Sequence, residues 1–355
     1  MFNQPQEQVI SRWWLGWVVN ALLCFLALAS GPVSAQTPLR IAFISHAPDS
    51  DSWWLTVKNA LKHASEDFDV QVDYLNPADG DLGKMAKLIE NINPATYQAV
   101  IATIADEKLL AGPLRSLAAK KIPLVTVNSG TQEQSEKIGA LMHIGQPDDV
   151  AGQEAGHRMA KAIPGVKSFI CFNHYPSNTG SMMRCEGFHH GLGDKVQMTV
   201  VRLEGDAKKN EQTTLAALTA QPKADVLLAL GPESVKPLLD ILRAKSMPLP
   251  PVVTFDLSAD IVTGIRQGHI AFAIDQQPYL QGYLSVGYLA NVLRDPSASS
   301  AVSRMGLYAN PKLHQRMARY GLELKPGSSR HINSGPGFVT TLNADKVERF
   351  SGQYR

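Results

Sequence analysis

Short apolar segments alternate with amphipathic segments from residue 39 to about residue 294. Several short segments, such as AVIATI at 99–104 and VLLALG at 226–231, are apolar throughout, as in strands that are covered on both faces. The longer segments between them have the apolar spacing that is typical of helices. Repeated alternation of strand and helix predicts an α/β fold with parallel sheets flanked by helices.

The pattern predicts strands and helices as follows. The strands are LRIAFIS, VQVDYLN, AVIATI, PLVTVN, MHIGQ, SFICF, MTVVRLEG, VLLALG, VVTFDLS and IAFAIDQ. The helical segments are 53–67, 81–91, 108–120, 149–162, 181–191, 209–220, 234–246, 259–267 and 279–294. So many strands would make one unusually large open sheet, and a chain of 355 residues favours two domains of roughly 150 residues each. We therefore expect two doubly wound sheets.

Polar and aromatic residues follow the predicted strands, where doubly wound sheets bind their ligands. These positions are Ser45–Trp54, Asp106, Asn128, Ser129, Asn173–Met183, Glu204–Asp206, Gly231–Glu233, Asp256 and Asp275–Gln277. Carboxylates accept hydrogen bonds from hydroxyl groups, amides donate and accept them, and indoles cover apolar ring faces. The segment ends therefore predict a site for a hydroxyl-rich small ligand.

Composition and motifs argue against several other functions. Hydrophobic residues make up 44% and charged residues 19%, which excludes a disordered or fibrous chain. The net charge is +2 with scattered Lys and Arg, so nucleic acid is not expected as a partner. No nucleophile and base motif appears, and Asp149 is interpreted as a helix N-cap. Neighbouring His189 and His190 on a helix would not share a metal. We expect no enzyme activity, metal or cofactor.

The N-terminus predicts export. An apolar stretch after Arg12 ends in small residues at Ala35, as in a signal peptide spanning 1–35. A retained membrane anchor is the alternative interpretation. Export would leave Cys171 and Cys185 in an oxidising compartment. The two cysteines can then form a disulfide or remain two buried free thiols, and the sequence leaves both alternatives open.

Adjacent tryptophans, Trp53 and Trp54, follow the polar loop after the first strand. They can pack in a core, as large aromatic residues usually do, or form the wall of a pocket. Ser52 is expected to cap the helix that they open. Successive helical residues point about 100° apart, so we expect one tryptophan to face the ligand and the other to line the cleft rim or pack.

The chain resembles the type I periplasmic solute-binding proteins, in particular the ribose- and galactose-type sugar-binding components of ABC transporters. The segments that carry the resemblance are RIAFISHAPDSDSWW, KKIPLVTVNSG, IGQPDDVAGQEAGHRMA, RCEGF, VVTFDLSADIVTGIRQGHIAFAIDQQPYLQG and SGPGFVT. The resemblance implies two α/β lobes, 38–146 plus 278–328 and 147–277 plus 329–355, joined by three hinge crossings. It also implies a periplasmic monomer that presents its closed form to an inner-membrane ABC permease or, alternatively, to a sensor kinase or chemoreceptor.

The resemblance also implies the ligand-binding positions. The residues that match in type are Ser45, Trp53, Trp54, Asn128, Ser129, Asp256 and Gln276, with Asp51 or Ser50 at the polar position. Other positions depart from the family pattern: Asn128 and Ser129 replace an Asp-Arg pair, Met182 occupies the arginine position with Arg184 two residues on, and Gly231 occupies the asparagine position. Asn173, His174, Asn178 or Glu233 can compensate. These departures predict a wider, more apolar pocket for a disaccharide, cyclitol or modified sugar rather than ribose.

Overall fold

The computed structural model describes Met1, residues 39–204 and residues 206–355. Residues 2–35 of the predicted signal peptide, including Cys24, lie outside the described residues. Among the residues that are described, no helix combines the length and the hydrophobicity needed to cross a membrane.

Two sheets and the helices around them build the described part of the chain. The strands are β1 (Arg40–Ile44), β2 (Gln71–Leu75), β3 (Ala99–Ala102), β4 (Leu124–Val127), β5 (Met142–Gly145), β6 (Ser168–Asn173), β7 (Gln197–Arg202), β8 (Val226–Ala229), β9 (Val252–Phe255), β10 (Phe272–Asp275), β11 (Lys325–Ser328), β12 (His331–Asn333) and β13 (Gly337–Val339). The α-helices are α1 (Trp54–Phe68), α2 (Leu82–Glu90), α3 (Glu107–Ala119), α4 (Gln132–Lys137), α5 (Asp148–Ala162), α6 (Thr179–Leu192), α7 (Ala207–Ala220), α8 (Pro232–Ala244), α9 (Ala259–Arg266), α10 (Pro278–Arg294), α11 (Ser300–Tyr308), α12 (Pro311–Tyr320) and α13 (Ala344–Val347). All ten strands predicted from the apolar segments are confirmed.

Both sheets have the same doubly wound strand order. The first sheet runs β11-β12-β5-β4-β3-β1-β2 and the second runs β13-β10-β9-β8-β6-β7. In each, the first five strands of the lobe are parallel and lie in the order 2-1-3-4-5, which places a topological switch point at the carboxyl ends of the strands. The two switch points are where a ligand is expected.

Helices cover both faces of each sheet, which explains the uninterrupted apolar segments. Every residue of β3 and of β8 is buried. In the first lobe, α1 and α10 pack on one face and α2 and α3 on the other. The second lobe likewise has two separate apolar clusters, one on each side of its sheet. Strands in such a position have no solvent face and need no polar alternation.

Three chain crossings connect the lobes, at 146–147, 276–277 and 334–336. The crossings touch one another through Ser334, whose backbone N–H donates to the Gly145 carbonyl at 3.0 Å and whose hydroxyl donates to the Gln276 carbonyl at 2.8 Å. The side chain of Gln277 also donates to the Ser334 carbonyl. These hydrogen bonds make the three segments one connected hinge.

The predicted third crossing at 328–329 is wrong. Strand β12 lies beyond that point and still belongs to the first sheet, where it pairs in parallel with β5 through Ile332 and Ile144. The chain reaches the second sheet only at β13, which pairs with β10. The position of such a short strand depends on its pairing with the edge of an existing sheet. A local sequence pattern does not reveal this pairing.

Candidate ligand-binding site

A cavity of about 60 Å³ lies between the carboxyl ends of the two sheets. The first lobe contributes His46, Asp51, Ser52, Trp53, Trp54, Asn128 and Ser129, and the hinge contributes Gln276. The second lobe contributes Asp148, His174, Tyr175, Asn178, Ser181, Arg184, Leu230, Pro232, Glu233 and Asp256. The structure thus brings together residues from the loops after β1, β4, β5, β6, β8, β9 and β10, whereas the loop after β3, with the predicted Asp106, does not reach the cavity.

Two of the predicted binding residues do not line this cavity. Ser45 is fully buried, and its hydroxyl accepts a hydrogen bond from the Ala47 N–H at 3.1 Å. The Met182 sulfur accepts a hydrogen bond from the Asn173 amide at 3.5 Å instead of facing the cavity. The other predicted residues line it, namely Asp51, Trp53, Trp54, Asn128, Ser129, Arg184, Asp256 and Gln276.

Arg184 stands between two carboxylates of the second lobe. Its Nε donates to Asp148 Oδ1 at 2.8 Å, and its Nη1 lies 4.0 Å from Asp256 Oδ2. Burial alone would lower the pKa of Arg184, but the charges of Asp148 and Asp256 raise the pKa above its ordinary value. The guanidinium therefore keeps its charge and is a fixed donor inside the site.

The packing of α5 against α6 brings Asp148 to Arg184. The two helices approach closely at glycines, since a Cβ added to Gly187 would lie 2.3 Å from the Asp149 carbonyl oxygen. A disulfide between Cys171 on β6 and Cys185 on α6 ties the same helix to the sheet. The open alternative between a disulfide and free thiols is thus resolved in favour of the disulfide, and the residue next to it is Arg184.

The interpretation of Asp149 as an N-cap is wrong. Helix α5 begins at Asp148, its N-cap residue is Pro147, and no side chain caps it. Asp148 and Asp149 both lie in the first turn, where a carboxylate is favoured by the helix dipole. The Asp148 side chain points inward and accepts a hydrogen bond from Arg184. This residue at the start of α5 is therefore also part of the site.

Asn128 and Asp256 occupy equivalent positions in the two lobes. Each follows the fourth strand of its sheet and adopts a left-handed conformation, with φ of 59° and 64°. Asparagine and aspartate tolerate this conformation better than most residues. Both side chains meet Gln276, which accepts from Asn128 Nδ2 at 3.2 Å and donates to Asp256 Oδ1 at 2.6 Å. The hinge amide thus links the ligand-facing residues of both lobes.

Asp256 is a buried carboxylate whose charge is only partly stabilised by neighbouring groups. Its side chain is 9% exposed, and burial raises its pKa to about 6. Arg184, the Gln276 amide and the Trp53 side chain each act in the opposite direction. Hydrogen-bond donors from a ligand would further stabilise the ionised form.

Trp53 and Trp54 have different roles. Trp54 is 3% exposed, packs edge to face with Phe43 and belongs to the core of the first lobe, while it also reaches the cavity wall. Trp53 is half-buried at the cavity, with its ring centroid 5.0 Å from that of Trp54. Both interpretations of the pair are thus partly right.

The prediction that Ser52 caps this helix is wrong. Helix α1 begins at Trp54 without a side-chain cap, and Ser52 is exposed. The Asp51 carboxylate instead accepts a hydrogen bond from the Trp53 N–H at 3.1 Å. Asp51 is therefore oriented by the loop that precedes the helix.

Hydrogen bonds cross the cleft and hold it closed. Tyr175 of the second lobe donates to Asp51 Oδ2 at 3.2 Å, and Asn178 donates to the Ser129 hydroxyl at 2.9 Å. The cavity has room for roughly four to six water molecules at 10–15 Å³ each. The wider pocket predicted from the sequence is therefore not seen in this closed conformation, whose lining combines polar and aromatic side chains.

The family model described as periplasmic binding protein domain matches residues 41–296. The chain belongs to the periplasmic binding protein family.

The sequence identity between this periplasmic binding protein and its individual relatives is low, but the similarity extends over most of both chains. It is 22% identical over 311 residues to the periplasmic protein TorT of Escherichia coli, covering 87% of this chain and 88% of TorT. It is 20% identical over 288 residues to the ribose import binding protein RbsB of Haemophilus influenzae, covering 80% and 95%. A carbohydrate transporter from Acidothermus cellulolyticus, solved in complex with myo-inositol, has a TM-score of 0.75 and 26% identity over 90% of this chain and 100% of that one.

Two histidines of this periplasmic binding protein line the cavity in neutral form. Burial lowers the pKa of His46 to about 4 and that of His174 to about 4, with Arg184 contributing to the latter. His46 pairs with the Thr103 hydroxyl, whereas the buried Nδ1 of His174 has no partner in the described part of the chain. His174 can therefore form a hydrogen bond with a ligand.

Tyr175 and Asp148 were not among the predicted binding residues. Tyr175 lies in the polar segment after β6, but only the cross-cleft contact with Asp51 singles it out. Asp148 is recognised only through helix packing. Within the described residues, no group of three or more His, Cys, Asp or Glu side chains is arranged to hold a metal ion.

Proposed function

We propose that this protein is a periplasmic solute-binding protein, not an enzyme, that captures a small hydroxylated, sugar-like ligand between its lobes. The closed form would then be presented to an ABC importer in the inner membrane. The single observation that carries the proposal is the cavity at the two switch points, lined from both lobes and linked by Gln276.

The lining suits hydroxyl groups. Asp256 and Asp51 are acceptors, Asn128 and Asn178 carry amides, and Arg184 is a permanent donor. Indole faces such as that of Trp53 cover apolar faces of a ring. The small volume favours a ligand no larger than a monosaccharide and argues against a disaccharide.

Closure is part of the proposed mechanism. The hydrogen bonds from Tyr175 to Asp51 and from Asn178 to Ser129 join the lobes only when the cleft is shut. Opening would occur by rotation at the three crossings, whose few residues absorb the change in backbone angles. Ligand binding would shift the population toward the closed form, because only that form contacts the ligand from both sides.

The relatives support the same function. One is by its name a ribose import binding protein, and the carbohydrate transporter from Acidothermus cellulolyticus was solved with myo-inositol bound. We further propose that residues 1–35 are a cleavable export signal, which the mass of the mature protein would test. A sensor kinase or chemoreceptor is the alternative partner, and stimulation of the importer's ATPase by the ligand-bound protein would favour the importer.

A thermal-shift panel tests the capture function. Residues 36–355 would be mixed with pentoses, hexoses, inositols, amino sugars and, as size controls, disaccharides. At a hundredfold excess over the dissociation constant, a true ligand should add about 2.7 kcal/mol of stability. A selective shift from a monosaccharide-sized compound supports the proposal, and the absence of any shift across the panel would contradict it.

A further inference from the structure

The cavity contains more negative than positive charge. Four carboxylates line it, from Asp51, Asp148, Glu233 and Asp256, while Arg184 is the single guanidinium among the lining residues. Arg184 is already engaged by Asp148 and Asp256. The two histidines in the wall remain neutral because of their burial.

Asp51 and Glu233 have no basic partner of their own. Among the ion pairs of residues 39–204 and 206–355, neither carboxylate has a Lys, Arg or His nitrogen within 4 Å. Lys58 acts on Asp51 from a distance, but its ammonium lies over the Tyr74 ring, 4.6 Å from the centroid. Lys236, one turn after Glu233, pairs with Asp240.

These two carboxylates come from opposite lobes and line the same cavity. Asp51 belongs to the first lobe and is fixed by the Trp53 N–H and the Tyr175 hydroxyl. Glu233 lies in the first turn of α8 in the second lobe, exposed at the mouth of the cavity. Burial raises the pKa of each, and the charge of Asp51 raises that of Glu233 further.

Aromatic residues surround the same space. Trp53, Trp54 and Tyr175 line the cavity beside Asp51. The faces of indole and phenol rings attract cations, most strongly where water is excluded. A group with positive charge would therefore satisfy both the unpaired carboxylates and the aromatic wall, whereas a neutral hydroxyl can donate a hydrogen bond but cannot balance the charge of Asp51 and Glu233.

We propose that the ligand of this cavity carries a cationic nitrogen together with hydroxyl groups, and so belongs to the small amine-bearing polyols, amino sugars among them. The nitrogen would lie between Asp51 and Glu233, and the hydroxyl groups would meet Asp256, Arg184 and the amides. This inference rests on the proposed capture function and narrows its ligand class.

Matched pairs of probes test the charge separately from the capture. Glycerol would be compared with 2-amino-1,3-propanediol, and glucose with glucosamine, by titration calorimetry below the pKa of the amines. N-acetylglucosamine retains the nitrogen but removes its charge. We expect at least one amine to bind about tenfold or more tightly than its neutral counterpart, as for a charge-assisted hydrogen bond.

Variants assign the effect to the two carboxylates. Asp51→Asn should weaken binding of the amine by about tenfold and Glu233→Gln by roughly two- to fivefold, because Glu233 is exposed and its charge is screened. Binding of the neutral counterpart should change less in both variants. Glu211→Gln, an exposed carboxylate on α7 outside the cavity, is the matched control and should change neither.

The outcomes separate this inference from the capture function. If neutral sugars bind and amines bind no better, the charge proposal is wrong while capture stands. The charge proposal is also wrong if a variant carrying both Asp51→Asn and Glu233→Gln prefers the amine over its neutral counterpart as strongly as wild type does. If no member of any pair binds, the charge inference is contradicted, and the thermal-shift panel decides separately whether the capture function stands.

Discussion

Replacing Asp256 by asparagine should stabilise the closed conformation of the protein at neutral pH while weakening ligand binding. A raised pKa means that the folded protein holds the Asp256 proton more tightly than the unfolded chain does, so ionisation of this group disfavours folding. The penalty is absent below the ordinary value of 3.8, where both states are protonated, and it is complete above a pH of about 6. Asparagine keeps the acceptor for Gln276 Nε2 and removes the charge.

The structure sets the size of this effect. The difference between the ordinary value of 3.8 and the folded value of about 6 corresponds to about 3 kcal/mol at 1.36 kcal/mol per pKa unit. The side chain is only 9% exposed, so solvent screening reduces this free energy little. Arg184 loses a neighbouring charge in the variant but keeps Asp148, so about 3 kcal/mol is the upper limit of the gain.

Urea unfolding of wild type and Asp256→Asn across pH measures this directly. The stability difference should fall from up to about 3 kcal/mol near pH 7.5 to about 1 kcal/mol near pH 4.5, as the wild-type carboxyl becomes protonated. Glu211→Gln serves as the control for the loss of a carboxylate outside the site. A difference that does not vary with pH, or a variant less stable than wild type at pH 7.5, would refute the reasoning.

Three further comparisons of variants test the parts that hold the site. Trp54→Ala should destabilise the protein by about 3–5 kcal/mol, because this side chain belongs to the core, and Trp53→Ala should cost clearly less in chemical denaturation; equal losses would contradict the assigned roles. Gly187→Ala should cost about 1–3 kcal/mol by separating α5 from α6, with Gly112→Ala, where an added Cβ has open space, as the control. Replacing both Cys171 and Cys185 by alanine should lower the unfolding free energy by about 3 kcal/mol, and an unchanged urea midpoint would argue against a stabilising disulfide.

The architecture could largely be predicted because its strands are buried on both faces. A segment such as 226–229 has no polar position, and that is visible without a structure. Strands β11, β12 and β13 could not be found in this way, since each has only three or four residues and is stabilised by pairing with a strand that is already in place. Helix α4 is short and polar, although its capping box of Thr131 and Gln134 is a signal in the sequence.

The candidate site could be predicted by position but not by side-chain direction. Residues after most of the central strands do surround the cavity, yet the loop after β3 does not reach it, Ser45 turns into the loop and Met182 turns to Asn173. The pairing of Asp148 with Arg184 depends on the approach of two helices, which involves residues far apart in sequence. The small volume follows from hydrogen bonds across the closed cleft, and no local pattern indicates those.

Titration calorimetry on wild type and Asp256→Ala, with the compound that gives the largest thermal shift, tests the central claim most directly. If the ligand lies between the lobes and donates to Asp256, the variant should remain folded and bind about 1.5–3 kcal/mol more weakly, the range for a hydrogen bond to a charged group. Equal affinity in the two proteins would contradict the claim that this cavity is where the ligand is captured.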